Sequence, residues 1–264
     1  MIDFHNHILP NVDDGSKSLD MSLEMLIFAA NQGITDVVNT VHYQHPKVET
    51  EDISEKRIRR EVEHLQQHLD KNDIKIKLHI GAEVFFLPNL LKIKDDPLAT
   101  FSHGKYMLIE FQHHQIPDIQ KQQLFDLRMS GVVPIIAHPE RYKAVQEDIN
   151  IVADWLEAGC LIQVDAGSPL GYLGSKSQAS SERIIKNGWC QLIGSDSHDN
   201  KNRNFCLLES VDLIKSWGIN SVDAWVFDNP NAIINGTPIS VDFDYVQEKR
   251  PNILSRIKSR IGLN

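Results

Sequence analysis

One junction recurs along this chain and limits what it can fold into: a helical pattern, a glycine, then a short β-branched apolar run. "NQGITDVV" sets Gly33 between such a pattern and such a run, and "RMSGVVPII", "LEAGCLIQV" and "KNGWCQLI" repeat the device with Gly131, Gly159 and Gly188. Glycine supplies the left-handed residue that ends a helix. The apolar runs cover 2–8, 36–42, 75–85, 106–111, 132–138, 161–167 and 190–198. Helical patterns lie near 19–32, 52–71, 117–130, 148–158 and 178–187, with a shorter helix or turn near 88–94. Strands that alternate with crossover helices build parallel sheets. Seven such units predict an α/β fold, a closed or nearly closed (β/α) barrel. No Pro-, Gly- or Ser-rich linker and no solenoid repeat divides the 264 residues, so one domain over 1–264 is expected.

The tail differs in character. "QEKRPNILSRIKSRIGLN" spaces Ile253, Ile257 and Ile261 at helical intervals among Lys249, Arg250, Arg256, Lys258 and Arg260. That pattern predicts a basic helix near 245–262, packed on the barrel with a solvated charged face.

Composition removes several classes. The formal net charge of −9 gives no support to a general nucleic-acid binder, which would carry a basic surface, and no nucleic acid is expected. The three cysteines, Cys160, Cys190 and Cys206, form no CxxC pair, which argues against a disulfide scaffold or zinc ribbon and for buried thiols in a reducing compartment. No apolar run reaches the roughly 18 residues of a membrane span, and the start lacks the pattern of a secretion signal. A cytoplasmic protein with no transmembrane segment is expected.

In a parallel barrel, functional groups gather where strands end. The first run gives His5 and His7, which share a face because side chains two apart in a strand point the same way. Its loop adds Asp14. Later strand ends give His42, Glu83, Glu110, then His138 and Arg141, then Asp196 and His198. A lone histidine at a strand end is more often a hydrogen-bonded structural residue than a ligand. Five histidines and four carboxylates at one rim are harder to explain as packing, because buried carboxylates without partners are costly. Divalent cations remove that cost. Mixed imidazole and carboxylate donors suit Mn, Fe or Zn better than Ca, and the missing thiolates argue against a structural zinc site. Shared between two or three ions with positions open to water, nine such groups make a hydrolytic site. Three divalent ions would outweigh four carboxylates and attract a phosphate dianion despite the acidic chain.

Other polar residues take plainer readings. His64 and His68 belong to an exposed helix face. His45, His103, His113 and His114 fall in or near loops and receive no role. Asp165 either lines the site or caps a loop, and Asp13 is a turn residue before Gly15. A cysteine phosphatase is excluded, since the residues six after the three cysteines are Ala166, Asp196 and Asp212 rather than arginine. No GxSxG elbow is present.

Taken together, "DFHNHILPNVDDG", "TVH" at 40–42, "GAEVFF", "IEF", "AHPERY" and "GSDSH" resemble the PHP (polymerase and histidinol phosphatase) superfamily. More narrowly they resemble the bacterial metal-dependent protein-tyrosine phosphatases of capsule and exopolysaccharide loci, from Met1 to at least Arg203. The resemblance implies a distorted, TIM-like (β/α)7 barrel with three divalent ions, manganese foremost and Fe, Zn or Mg compatible. It implies His5, His7, Glu83 and Asp196 at the first ion. Glu83 would bridge to the second, with Glu110 and His138. Asp14, His42 and His198 would hold the third. Arg141 matches a phosphate-binding arginine, and Arg203 stands where the family has a second functional arginine. The implied reaction is hydrolysis of protein phosphotyrosine, on the C-terminal tail of a bacterial tyrosine autokinase that controls capsule or exopolysaccharide synthesis. Alternatives are a small-molecule phosphatase of the histidinol-phosphate type, a nucleotide phosphoesterase, or a non-catalytic metal-binding regulator. The last sits poorly with a complete ligand set and an intact Arg141.

Overall fold

A computed structural model describes residues 1–46, 48 and 53–239. The basic helix expected near 245–262 lies outside the described residues.

Seven strands form one parallel sheet in sequence order: β1 (Ile2–Asn6), β2 (Asp36–Tyr43), β3 (Lys77–Phe85), β4 (Tyr106–Glu110), β5 (Val133–Ala137), β6 (Leu161–Asp165) and β7 (Leu192–Gly194). Between them run α1 (Leu19–Asn31), α2 (Glu55–Lys71), α3 (Leu90–Ile93), α4 (Gln120–Met129), α5 (Lys143–Glu147), α6 (Asn150–Glu157) and α7 (Ser175–Lys186). Ser18 and Ser54 start α1 and α2 by accepting a backbone N–H on the side chain, which satisfies a donor the helix cannot. Gly33, Gly131, Gly159 and Gly188 all take positive φ after a helix, as the recurring junction requires.

The sheet closes just past β7. Asp196 donates its N–H to the His5 carbonyl at 2.7 Å, and His7 donates to the Ser197 carbonyl at 2.9 Å. Gly194 permits this approach: a Cβ there would stand 2.5 Å from the Cβ of His5. The regular part of β7 is therefore shorter than the run 190–198 suggested. Its end leaves strand geometry to meet β1.

β1 contains the detail that sets the site. Asp3 pairs with Val37 and Asn6 with Asn39, so three steps on β1 oppose two on β2. One extra residue reverses the inside–outside alternation. Phe4 consequently joins the interior cluster with Val38, Leu108, Ile135 and Leu192, stacked on Phe101 at 5.3 Å, while its neighbour His5 also faces inward. Below the bulge the interior is apolar. Above it the interior is ionisable. A larger cluster lies between the strands' outer faces and the helices, with Trp155, Trp189 and Phe111 buried in it.

Three helices follow β7 that the sequence reading did not anticipate: α8 (Leu207–Ser216), α9 (Val222–Val226) and α10 (Asp228–Ile234). The signal was present, since Leu207, Ser210, Val211 and Ile214 are buried at helical spacing. α10 places Ile233 in the interior cluster and so helps close the barrel's apolar end.

Candidate metal centre

All nine ligand candidates converge at one end of the barrel. Strand register does part of this work: His42 on β2 lies directly beside Glu83 on β3, and Phe85 lies beside Glu110 on β4. Two others sit where the chain leaves its strand in a left-handed turn, His138 at φ 32° and Asp196 at φ 47°. Such backbone is uncommon outside glycine and gathers at functional sites. Gly15 folds the first loop back onto β1, where a Cβ would collide with the His7 carbonyl at 2.0 Å, and so brings Asp14 to the rim.

The separations are those of ligands around ions. His5 Nε2 lies 3.3 Å from Glu83 Oε2 and 3.5 Å from Asp196 Oδ1. His7 Nε2 lies 3.5 Å and 3.3 Å from the same two oxygens. Donors held about 2.1 Å from one ion in a tetrahedron stand about 3.4 Å apart. The other oxygen of Glu83 faces His138 Nε2 at 2.8 Å, and that nitrogen lies 3.9 Å from Glu110 Oε1. Asp14 Oδ1 lies 3.2 Å from His42 Nε2 and 3.3 Å from His198 Nε2. Glu83 and Asp196 are almost wholly buried, whereas the Asp14 side chain is 51% exposed.

These residues fit divalent cations. His5 Nε2, His7 Nε2, His42 Nδ1 and Glu110 Oε2 are buried without a hydrogen-bond partner. Buried polar atoms normally have one. Outer residues fix the tautomers that aim the nitrogens inward: His5 Nδ1 meets Gln163 Oε1 at 3.0 Å, and His7 Nδ1 meets Asp13 Oδ2 at 2.9 Å. Charges reinforce the fit. Burial opposes ionisation of Glu83, but His5 and its neighbours hold its carboxyl well below the usual range. Burial likewise opposes ionisation of Asp196, and His198, Arg203 and His5 overcome it. Burial and then the Glu83 charge push Glu110 up to about 8. A bound cation would stabilise the charged form of that carboxylate. Burial, then Arg141, drive His138 down to about 3, keeping it a neutral donor.

Both arginines reach the site through Asp196. Arg141 Nη1 bonds Asp196 Oδ2 and lies 3.6 Å from Asp165 Oδ2. Arg203 Nη2 donates to Asp196 Oδ2 at 2.6 Å, and its carbonyl accepts the His198 N–H at 2.7 Å. Asp165 satisfies both of its expected readings, since its Oδ1 also accepts the Gly167 N–H at 2.8 Å.

Several expectations need correction. Asp13 is more than a turn residue. Its Oδ1 does accept the Gly15 N–H, but its Oδ2 orients His7 and accepts the His42 N–H at 3.1 Å. His45 and His113 are not idle loop residues: their Nε2 atoms lie 3.7 Å and 3.9 Å from Glu110 oxygens. Glu140, unmarked in the sequence reading, is buried between the loops after β5 and β6. Its Oε1 accepts the Asp165 N–H at 2.9 Å and the Ser168 hydroxyl at 2.7 Å. Its place in "AHPER", between His138 and Arg141, was the available signal. His64 is exposed and His68 half-buried on α2, with their Nε2 atoms 3.3 Å apart. Cys160, Cys190 and Cys206 are free and buried.

Fold and site together define a PHP-type parallel barrel with a candidate multinuclear metal centre where its strands end. The chain belongs to the family described as "Capsular polysaccharide synthesis, CpsB/CapC", which matches residues 1–235. It is 33% identical over 208 residues to CapC of Staphylococcus aureus, covering 78% of this chain and 80% of that one. It is 31% identical over 216 residues to the tyrosine-protein phosphatase YwqE of Bacillus subtilis (strain 168), covering 81% and 84%. A crystal structure from a study of YwqE from B. subtilis and CpsB from Streptococcus pneumoniae, presented there as unique metal-dependent tyrosine phosphatases, matches with a TM-score of 0.87 at 28% identity. That match covers 95% of this chain and 100% of the other. A histidinol phosphate phosphatase from Lactococcus lactis shares the fold, with a TM-score of 0.55 at 18% identity over 83% of this chain and 94% of that one.

Proposed function

We propose that this barrel hydrolyses phosphotyrosine in a protein and does so with three divalent ions, manganese foremost, with Fe, Zn or Mg able to use the same donors. The protein is a metal-dependent tyrosine phosphatase of a capsule-synthesis family, as its relatives' identities and the matching structure support. His5, His7, Asp196 and Glu83 Oε2 hold the first ion. Glu83 Oε1, Glu110 and His138 hold the second, and Asp14, His42 and His198 the third. The observation that carries this reading is the closed set of four N–O separations of 3.3–3.5 Å among His5, His7, Glu83 and Asp196.

Bound ions supply Lewis acidity, polarising phosphoryl oxygens and bringing the pKa of a bound water toward neutrality. The chain's own residues do the rest. Asp13 and Gln163 engage the Nδ1 atoms of His7 and His5, which leaves their Nε2 atoms turned toward the first ion. Arg141 and Arg203, gathered on Asp196, offer guanidinium N–H groups to the equatorial phosphoryl oxygens as charge develops there. The departing tyrosine phenolate has a pKa of about 10 and needs only modest help from an acid. The substrate we assign is the C-terminal tail of a bacterial tyrosine autokinase that controls capsule or exopolysaccharide synthesis, and we place the enzyme in the cytoplasm with it. Three free, buried thiols are consistent with that compartment. Among the described residues no helix is long and apolar enough to cross a membrane.

The test compares turnover of a phosphotyrosyl peptide, histidinol phosphate and single-stranded DNA, after chelation and again after adding Mn2+. The peptide should be hydrolysed fastest and only with metal. Faster turnover of histidinol phosphate would overturn the substrate class. Metal-loaded protein inert toward every phosphoester would make this a binding protein.

A further inference from the structure

Glu110 is ringed by four imidazoles, of which the ligand set above uses only His138 with it. Its Oε1 lies 3.9 Å from His138 Nε2 and 3.9 Å from His113 Nε2. Its Oε2 lies 3.7 Å from His45 Nε2 and 4.0 Å from His42 Nδ1. His138 and His113 are therefore directed at one oxygen, and Glu110, His113 and His138 offer ligand atoms within 4.8 Å of one another. Two donors bound at about 2.1 Å to a single ion can stand no more than about 4.2 Å apart. Both separations from Oε1 fall inside that limit.

We propose that His113 is a fourth protein ligand of the second ion, beside Glu83, Glu110 and His138; this rests on the ion assignment made above. His113 is held in place for the task. Its carbonyl accepts the Lys143 N–H at 2.9 Å, which latches the loop after β4 to the start of α5. Its ring meets that of His138 edge-on, with centroids 6.1 Å apart, and lies as close to Tyr142. Tyr142 is itself fixed, donating to the Ala137 carbonyl at 2.7 Å and accepting the Phe111 N–H at 3.0 Å. The four residues from Glu110 to His113 span the end of β4, so the strand presents the carboxylate and the loop returns the imidazole. The His113 side chain is 40% exposed and stands on the solvent side of Glu110. Adding a second imidazole to a pocket otherwise made of two carboxylates and one histidine biases it toward nitrogen-preferring ions such as Fe, Co or Zn over Mg.

The test strips the full-length protein with chelator and titrates it with Co2+, following visible absorption and bound cobalt at fixed free concentration. Loss of an outer-shell partner already costs about 10–100-fold in metal affinity, so His113→Ala should weaken one site at least about tenfold and change its absorption bands. His114→Ala, an exposed imidazole on the same loop, should match wild type. Unchanged affinity and bands in His113→Ala would overturn the proposal. His138→Ala separates the two levels. If it loses cobalt while His113→Ala does not, only the role of His113 falls. If neither variant differs from wild type, the ion assignment falls with it.

Discussion

Asp13 Oδ2 sits 2.9 Å from His7 Nδ1 and accepts the His42 backbone N–H at 3.1 Å. One buried carboxylate thus steadies the side chain of His7 and the backbone of His42, residues assigned to two different ions, and anchors the loop that carries Asp14. Replacing it with alanine should lower metal affinity about 10–100-fold, the usual cost of losing an outer partner. Activity should fall at limiting metal and recover substantially at saturation. Equilibrium dialysis against Mn2+ reads this directly, and wild-type affinity would show that the contact is incidental.

Arg141 separates binding of the ions from chemistry. Because Arg203 also pairs with Asp196, Arg141→Ala leaves that carboxylate partnered. Turnover should drop about 10²–10³-fold, the scale of losing one transition-state donor, with metal content intact. Metal loss, or full activity, would show that the assigned role is wrong.

Direct ligands should behave in the opposite way. His5→Ala and His138→Ala should lose bound metal and activity together, because each removes a wholly buried donor facing Glu83. Elemental analysis alongside phosphopeptide assays decides it. Either variant retaining full metal would break the corresponding assignment.

Metal removal should also soften the fold. The centre buries Glu83 and Asp196 at nearly full depth. A site at a free-ion level of 100 times Kd contributes about 2.7 kcal/mol. Stripping one such site should lower Tm by roughly 5 °C or more in a chain of this size. Calorimetry in chelator against Mn2+ measures it, and an unmoved Tm would mean that the ions contribute nothing to the folded state.

Gly194→Ala tests barrel closure. The new Cβ would meet His5 at its Cβ, 2.5 Å away, and its backbone nitrogen, 2.8 Å away. Overpacking of this kind costs about 1–3 kcal/mol. Because His5 is the residue displaced, metal affinity should fall with stability. Denaturant melts and metal titration on one sample would reveal a variant that loses neither, and so a closure with slack in it.

Local pattern in the sequence determined the seven strands, the crossover helices up to α7 apart from α5, and which residues stand at the strand ends. Those features repeat every few residues and depend on neighbours alone. The nine candidate ligands were legible for the same reason: a strand end is a local property, and a barrel turns every strand end toward one rim. Only the tertiary structure decided how those residues meet. The extra residue in β1 lets Phe4 join the apolar interior while His5 and His7 face the candidate metal centre. Nothing in "DFHN" reveals the register of a partner strand more than thirty residues away. Asp13 looked like any aspartate before a glycine until His42 arrived to donate to it, and His45 and His113 were loop histidines until Glu110 lay between them. Hydrogen bonds and charge pairs act over a few ångströms in space, and their partners are set by chain closure rather than by sequence distance.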